Sequence, residues 1–300
     1  MKAYLLKIKI LSCFFYLAFY PVKAQNLLPK PDHVVIVIFE NASYEVVMQQ
    51  KNAKFLCQLA ESPHCASFTN SFGLVHPSQP NYIKLFCGQD EGVHDDSLPK
   101  KMYFRSPNLG RALIDKGLTF KGFAEDLPYK GYNGEKYHHY VRKHCPWVNW
   151  QADTGRYSIS GEFNLPYKAF PKDYSTLPTL SFVIPHLEHD MHEPANTFAA
   201  IWNGDKWLRR NLGNYIEWAK THNSLLIVTF DEDDNHNHNH IPTLFVGQMI
   251  KQGAYNQPIT HYNVLRTLLD MYGLEPFGKA GTAEPIKDCW EFPPALGKKD

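Results

Sequence analysis

At 300 residues, with 44% hydrophobic and 14% aromatic side chains, the chain carries enough apolar surface for a sizeable core, which excludes a disordered tail or a mini-protein. Its 31 basic side chains against 30 acidic ones give a formal net charge of +1, so no global basic field recommends nucleic acid as a partner. A small ligand suits this balance better.

The first 24 residues read as a signal peptide outside the folded domain. Lys2, Lys7 and Lys9 precede an apolar run from Ile10 to Tyr20, and Val22-Lys23-Ala24 supplies a cleavage site. The run falls short of the ~20 apolar residues of a spanning helix. Cleavage before Gln25 removes four of the 31 bases and none of the 30 acids, turning net +1 into net −3. The mature chain, 25–300, is then expected in the periplasm or outside the cell, with no later segment apolar and long enough to span a membrane. Export lets disulfides persist among Cys57, Cys65, Cys87, Cys145 and Cys289. Cys57 and Cys65 are close enough to staple a short loop, although spacing alone does not decide connectivity. With no CxxC pair, the cysteines are read as structural.

Val34 to Phe39 is a continuous, β-branched apolar run, the pattern of a strand buried on both faces. Ser43 is expected to cap a helix bearing Val46 and Val47, and Phe55, Leu56 and Leu59 mark a second short helix. A strand is predicted over Ala66 to Phe72. The segment His76-Pro77-Ser78-Gln79-Pro80-Asn81-Tyr82 then leads into a helix stopped at Gly88, which places Ser78 at a helix N-terminus. Ser106-Pro107 opens another helix, and Thr119 to Ala124 is extended. Residues 126–175, rich in Tyr, Pro, Gly and His without a period, read as a cap or insertion within one domain. Beyond it come a strand at Leu180 to Ile184, an amphipathic helix at Asp205 to Lys220, strands at Leu225 to Phe230 and Leu244 to Val246, and a helix at Thr260 to Tyr272. Buried strands alternating with helices predict an α/β fold, a three-layer sandwich around a mostly parallel sheet.

In such sheets ligands sit beyond the carboxyl ends of the strands. Glu40-Asn41 follow one strand directly and Asp231-Glu232 another, presenting hard oxygen donors on fixed backbone, as a divalent cation requires. An isolated acidic run would be an ordinary solvated loop. At a buried sheet edge, however, like charges repel unless protons or a cation neutralise them. Ser78 is by type a helix cap, but the same helix end binds phosphate, and a cation beside the hydroxyl would ease its deprotonation into a nucleophile. Asn81 lies one turn in, where its amide could donate to phosphate.

Together these residues amount to a resemblance. The segments Glu40 to Tyr44 (ENASY), His76 to Tyr82 (HPSQPNY), Asp190 to His192 with Gly204 to Leu208 (DMH and GDKWL), and Phe230 to Asp234 with Asn239 to Ile241 (FDEDD and NHI) are similar to those of the bacterial phosphoesterase family. That family contains secreted acid phosphatases and phosphatidylinositol-phosphate phosphatases, with phospholipases C more distant. The resemblance spans residues 31–275 and implies an alkaline phosphatase-like fold, making 25–300 a single phosphoesterase catalytic domain. It implies Ser78 as a nucleophile forming phosphoserine, Glu40, Asn41, Asp231 and Glu232 as metal ligands, and Asn81, His189, Asp190, His192 and His240 as phosphate- or substrate-binding. His186 stands where the resemblance leads one to expect asparagine, and Glu232 where relatives often carry aspartate. The cation's identity, whether Mg, Ca, Mn, Fe or Zn, stays open.

The expected activity is an exported, metal-dependent phosphomonoesterase of the acid phosphatase type, acting on a small phosphate ester or a phosphoinositide-like substrate. A phosphodiesterase or phospholipase C shares the nucleophile and cation and differs in tolerating a second ester substituent. A non-enzymatic metal-binding protein would need only the Asp231 to His240 stretch and leaves HPSQPNY without a use. The remaining histidines, His144 and His261 among them, are expected to cap, line loops or face solvent, and His236 and His238 to sit in an exposed tract.

Overall fold

Strand β1, His33–Phe39, sends Val34, Ile36 and Ile38 into one apolar layer and Val35, Val37 and Phe39 into the other, the consequence of a two-residue period in a strand covered on both sides. The computed structural model describes residues 28–99, 103–192 and 198–291. The expected signal peptide lies outside the described residues. Along the chain follow α1 (Lys54–Ala60), β2 (Cys65–Phe68), β3 (Ser71–Phe72), α2 (Ser78–Cys87), α3 (Leu109–Asp115) and β4 (Phe120–Ala124). Then come β5 (Lys136–Tyr137), β6 (Tyr140–Val141), β7 (Asn164–Pro166), β8 (Leu180–Ile184), α4 (Phe198–Ala219), β9 (Ser224–Phe230), β10 (Thr243–Val246), β11 (Gly253–Tyr255), β12 (Ile259–Thr260) and α5 (His261–Met271).

Eight strands form one sheet in the order β11-β2-β10-β9-β1-β8-β4-β7. Only β10 runs antiparallel to its neighbours, so the sheet is mostly parallel, as predicted. Side chains from α2, α3 and α5 fill one apolar layer and those from α1 and α4 the other, which gives the three-layer α/β sandwich. No described helix is long and apolar enough to cross a membrane.

The departures from expectation have local causes. The strand predicted over Ala66 to Phe72 breaks at Thr69-Asn70, where Tyr255 and Ile259 draw the backbone aside, so β2 joins the main sheet while β3 pairs with β12. The helix expected after Ser43 is a five-residue π turn, Glu45–Gln49. Helix α4 begins seven residues before Asp205, and its first turns expose Phe198 and Trp202, which hides the amphipathic period from sequence reading. Residues 126–175 are woven into the main body: β7 extends the sheet beside β4, and Trp147 and Trp150 are buried in the α2-side layer. Gly122 makes room for that packing, since a Cβ there would sit 2.2 Å from Trp147 Cζ2. The five described cysteines are unpaired, and Cys57 faces the Val47 and Met48 carbonyls instead of Cys65.

Candidate active site

Strands β1 and β9 pair in parallel with Phe39 opposite Phe230, so the residues that follow, Glu40-Asn41 and Asp231-Glu232, leave the sheet side by side. The junction is hydrogen-bonded, with Asp231 N–H donating to Phe39 O at 3.0 Å and Asn41 N–H to Asp231 Oδ1 at 3.1 Å. Asn41 holds φ 48°, a left-handed conformation that asparagine tolerates better than other side chains with a Cβ. Glu40 N–H donates to Asp190 O at 2.7 Å, which ties the segment after β8 to the same point.

Ser78 reaches this point from the opposite layer. It is the first residue of α2, and the cap position before it is taken by Pro77 in extended conformation. Its Oγ lies 2.8 Å from Glu40 Oε2, 3.3 Å from Asn41 Oδ1 and 3.4 Å from Glu232 Oε1. A single hydroxyl proton cannot serve three acceptors. All four predicted cation ligands and the hydroxyl therefore crowd together, with Ser78, Glu40, Asp231 and Glu232 each no more than 2% exposed.

The electrostatics follow from that crowding. Burial raises the Asp231 carboxyl well above its ordinary range, and Glu40 and Glu232 push in the same direction. Glu232 is raised by burial, then by Glu40 and Asp96. Asp231 Oδ2 is buried without a hydrogen-bond partner among the described residues. An orphaned carboxylate oxygen within a set of hard oxygen donors fits a divalent cation at Glu40, Asn41, Asp231 and Glu232.

Three further residues of the cluster escape sequence reading. His144, expected in a loop or at the surface, is 1% exposed, with Nε2 3.2 Å from Glu40 Oε1 and Nδ1 3.9 Å from Asp190 Oδ2. Burial lowers its pKa to about 4, so the ring is neutral at ordinary pH. Its ring stacks on Tyr82, whose hydroxyl donates to Glu40 Oε1 at 2.5 Å. His76 bridges Glu232 at 3.0 Å and Asp233 at 3.2 Å. Tyr82 and His76 sat inside a quoted motif without a role, whereas His144 carried no local signal and arrives from the insertion.

The residues expected at phosphate take several positions. Asp190 is fully buried, and its Oδ1 accepts from His192 N–H at 3.0 Å. The Asn81 amide is turned toward the loop before it: Oδ1 accepts from Leu74 and Val75 N–H, and Nδ2 donates to Val75 O at 2.7 Å and Glu232 Oε2 at 3.1 Å. His240 stands between Tyr44 and Phe72, with one nitrogen 2.8 Å from Glu45 Oε1 and the other 3.1 Å from Thr69 O. Both nitrogens are engaged there, which leaves none for a phosphate. His189 Nδ1 lies 3.0 Å from Glu125 Oε2, and His186 N–H donates to the same oxygen at 3.2 Å, a clamp between the ends of β4 and β8. The ligand atoms of Glu125, His186 and His189 lie within 4.8 Å of one another, close enough to hold a cation as well. Asp233 takes neither role; its carboxylate accepts from Asn235, Asn237 and Asn239 N–H and shapes the Asn/His tract. His261 is buried and fixes the Asp231 carbonyl at 2.7 Å.

Beside the cluster, a cavity of about 210 Å³ is lined by Gln79, Asp96, Arg142 and Lys143 among others. Burial alone would lower the Lys143 pKa, but Glu40 and Asp96 outweigh it and hold the ammonium charged. The arrangement thus joins a hydroxyl, an oxygen cage suited to a cation, a helix N-terminus and an ammonium, the parts that phosphoryl chemistry uses.

Comparison with known proteins agrees. The model of the phosphoesterase family matches residues 47–275. A phosphatidylinositol-3-phosphatase of Mycobacterium tuberculosis is 44% identical over 269 residues, covering 89% of this chain and 85% of the relative. A phosphate-repressible acid phosphatase of Penicillium chrysogenum is 29% identical over 264 residues, 83% of this chain but only 60% of that longer protein. Among solved structures, an alkaline phosphatase superfamily protein from Vibrio parahaemolyticus superposes with a TM-score of 0.55 at 14% identity, covering 83% of this chain and 68% of the other.

Proposed function

This chain belongs to the phosphoesterase family, and from that premise we propose an exported phosphomonoesterase that depends on a divalent cation and uses the Ser78 hydroxyl as its nucleophile. The coarser activity, hydrolysis of phosphate esters of the acid phosphatase kind, comes with the family and its relatives. The observation that carries the finer reading is the convergence of Ser78 Oγ with Glu40, Asn41 and Glu232 inside 3.4 Å.

Ser78 Oγ attacks phosphorus in line as the ester oxygen departs, and Glu40 Oε2, 2.8 Å away, is placed to accept the hydroxyl proton. Water then hydrolyses the phosphoserine and restores the hydroxyl. A divalent cation held by Glu40, Asn41, Asp231 and Glu232 would supply the positive charge that eases loss of that proton and offsets charge on the phosphoryl group. The N-terminus of α2 adds its partial positive charge on the same side. Tyr82 and His144 orient Glu40, while Asn81 and His240 hold loops in place. Asp190 and His192 stay on the phosphate side, as the resemblance implies. The 126–175 segment, proposed as part of one catalytic domain, completes the site by supplying His144.

For the substrate we infer a monoester, with a phosphoinositide favoured over a soluble metabolite by the 44% identity to a phosphatidylinositol-3-phosphatase. Turnover of an aryl phosphate, a bis-aryl phosphate and a phosphoinositide, measured with and without added divalent ions across pH, tests this. Monoester turnover restored by a cation supports the reading. Equal turnover of the diester, or full activity in verified metal-free protein, contradicts it.

A further inference from the structure

Helix α4 presents two large aromatic side chains to solvent, Phe198 at 62% exposure and Trp202 at 46%, one turn apart on the same side. Lys206 continues that side, its ammonium 4.1 Å from the centre of the Trp202 ring, and Arg209 and Arg210 are exposed on the next turn. The stretch Phe198 to Arg210 contains one acid, Asp205, which faces inward and accepts the Phe55 and Leu56 N–H groups at 2.9 Å each. Under the basic residues lies a cavity of about 370 Å³ lined by His189, Asn203, Lys206 and Arg210, with Glu125 already engaged by His186 and His189. Gly204, on the buried side of the same stretch, packs against His189 O and Met191, so this length of α4 adjoins the segment carrying Asp190 and His192.

We propose that the exposed side of α4 from Phe198 to Arg210 docks the protein on an anionic lipid surface, an inference that rests on the phosphoinositide arm of the proposed function. Exposed aromatics beside exposed cations are the composition of an interfacial helix: the rings enter the boundary between headgroups and acyl chains, and the cations stay at the lipid phosphates. The cavity between Lys206 and Arg210 takes a phosphorylated headgroup. Charge decides the partner's class, because Lys206, Arg209 and Arg210 are exposed while the one acid between Phe198 and Arg210 faces inward, which complements an anionic surface and repels a second copy of itself.

The test is co-sedimentation of the full chain with phosphatidylcholine vesicles and with phosphatidylcholine vesicles containing about 20 mol% phosphatidylserine, at low and high salt. Wild type is expected to bind the anionic vesicles and release them in high salt. The double variants Phe198→Ser/Trp202→Ser and Arg209→Glu/Arg210→Glu should each bind at least about tenfold more weakly while hydrolysing a soluble aryl phosphate at the wild-type rate. Equal binding to both vesicle types overturns the proposal, as does unaltered vesicle binding in the variants, or a wild-type dimer that those variants disperse. Soluble-substrate turnover is read separately, so a wild type that binds vesicles without hydrolysing a monoester refutes the phosphatase reading and leaves the docking surface standing.

Discussion

Ser78 Oγ lies 2.8 Å from Glu40 Oε2 although 38 positions separate the two residues, and neither side chain reaches solvent. The serine hydroxyl faces Glu40, Asn41 and Glu232, and the cap position of α2 belongs to Pro77. Ser78→Ala should therefore leave thermal unfolding close to wild type while lowering aryl phosphate turnover by roughly 10³-fold or more. Trapping of labelled phosphate on wild type, but not on the variant, checks the same assignment chemically.

Tyr82 donates to Glu40 Oε1 and stacks on His144, and burial followed by Glu40 raises its pKa far above the ordinary value, so it stays a donor. A partner that orients a ligand tunes cation affinity without touching the cation. Tyr82→Phe should bind the activating cation about 10- to 100-fold more weakly, with activity recovered at saturating cation. Titration of chelator-treated protein, followed by calorimetry and by turnover, separates this outcome from a general loss of fold.

Gly204 sits inside α4, where alanine ordinarily stabilises a helix by about 1 kcal/mol. Here a Cβ would lie 2.3 Å from Met191 Cγ and 2.9 Å from His189 O. Methionine can yield, but the carbonyl belongs to backbone, and Met191 already holds φ 77°. Gly204→Ala should thus cost about 1–3 kcal/mol in chemical denaturation and lower turnover, because the displaced segment carries Asp190 and His192.

Asp205 links the α4 and α1 helices by accepting two N–H groups at the start of α1, yet burial raises its pKa against those bonds. An acid with a raised folded pKa makes the native state take up a proton that the unfolded chain releases. Its contribution to stability is therefore fullest below the unfolded value of about 3.9 and declines as pH rises through the folded value. Asp205→Asn should flatten that decline, and Asp205→Ala should cost about 1–3 kcal/mol at neutral pH by leaving buried donors unpaired. Denaturation midpoints across acidic to neutral pH provide the check.

Much of the site was legible because strands deliver chemistry at their ends. The apolar runs ending at Phe39 and Phe230 announced buried parallel strands, and the next residues were polar in both cases. What stayed hidden depended on contacts between distant segments. His144 lies in an aperiodic stretch of short 3-10 turns and reads locally like any loop histidine. Asn81 and His240 have the residue types of phosphate donors, and only the neighbours Val75, Glu45 and Thr69 reveal that their polar atoms are engaged. The split between β2 and β3 likewise follows from hydrogen bonds to Tyr255 and Ile259, far along the chain.

Hydrophobic period and strand-end polarity are local properties, and they determined the layered α/β architecture, the positions of the two pairs of oxygen donors, Glu40-Asn41 and Asp231-Glu232, and the helix that begins at Ser78. Which oxygens share one buried space, which histidine enters it and which amides are taken up by loops were decided by strand register, by the packing of α2 against the sheet and by the path of the 126–175 segment. These are relations between atoms brought together only when the apolar layers close, and the low-dielectric space so formed is what turns four ordinary carboxylate and amide side chains into a candidate cation cage.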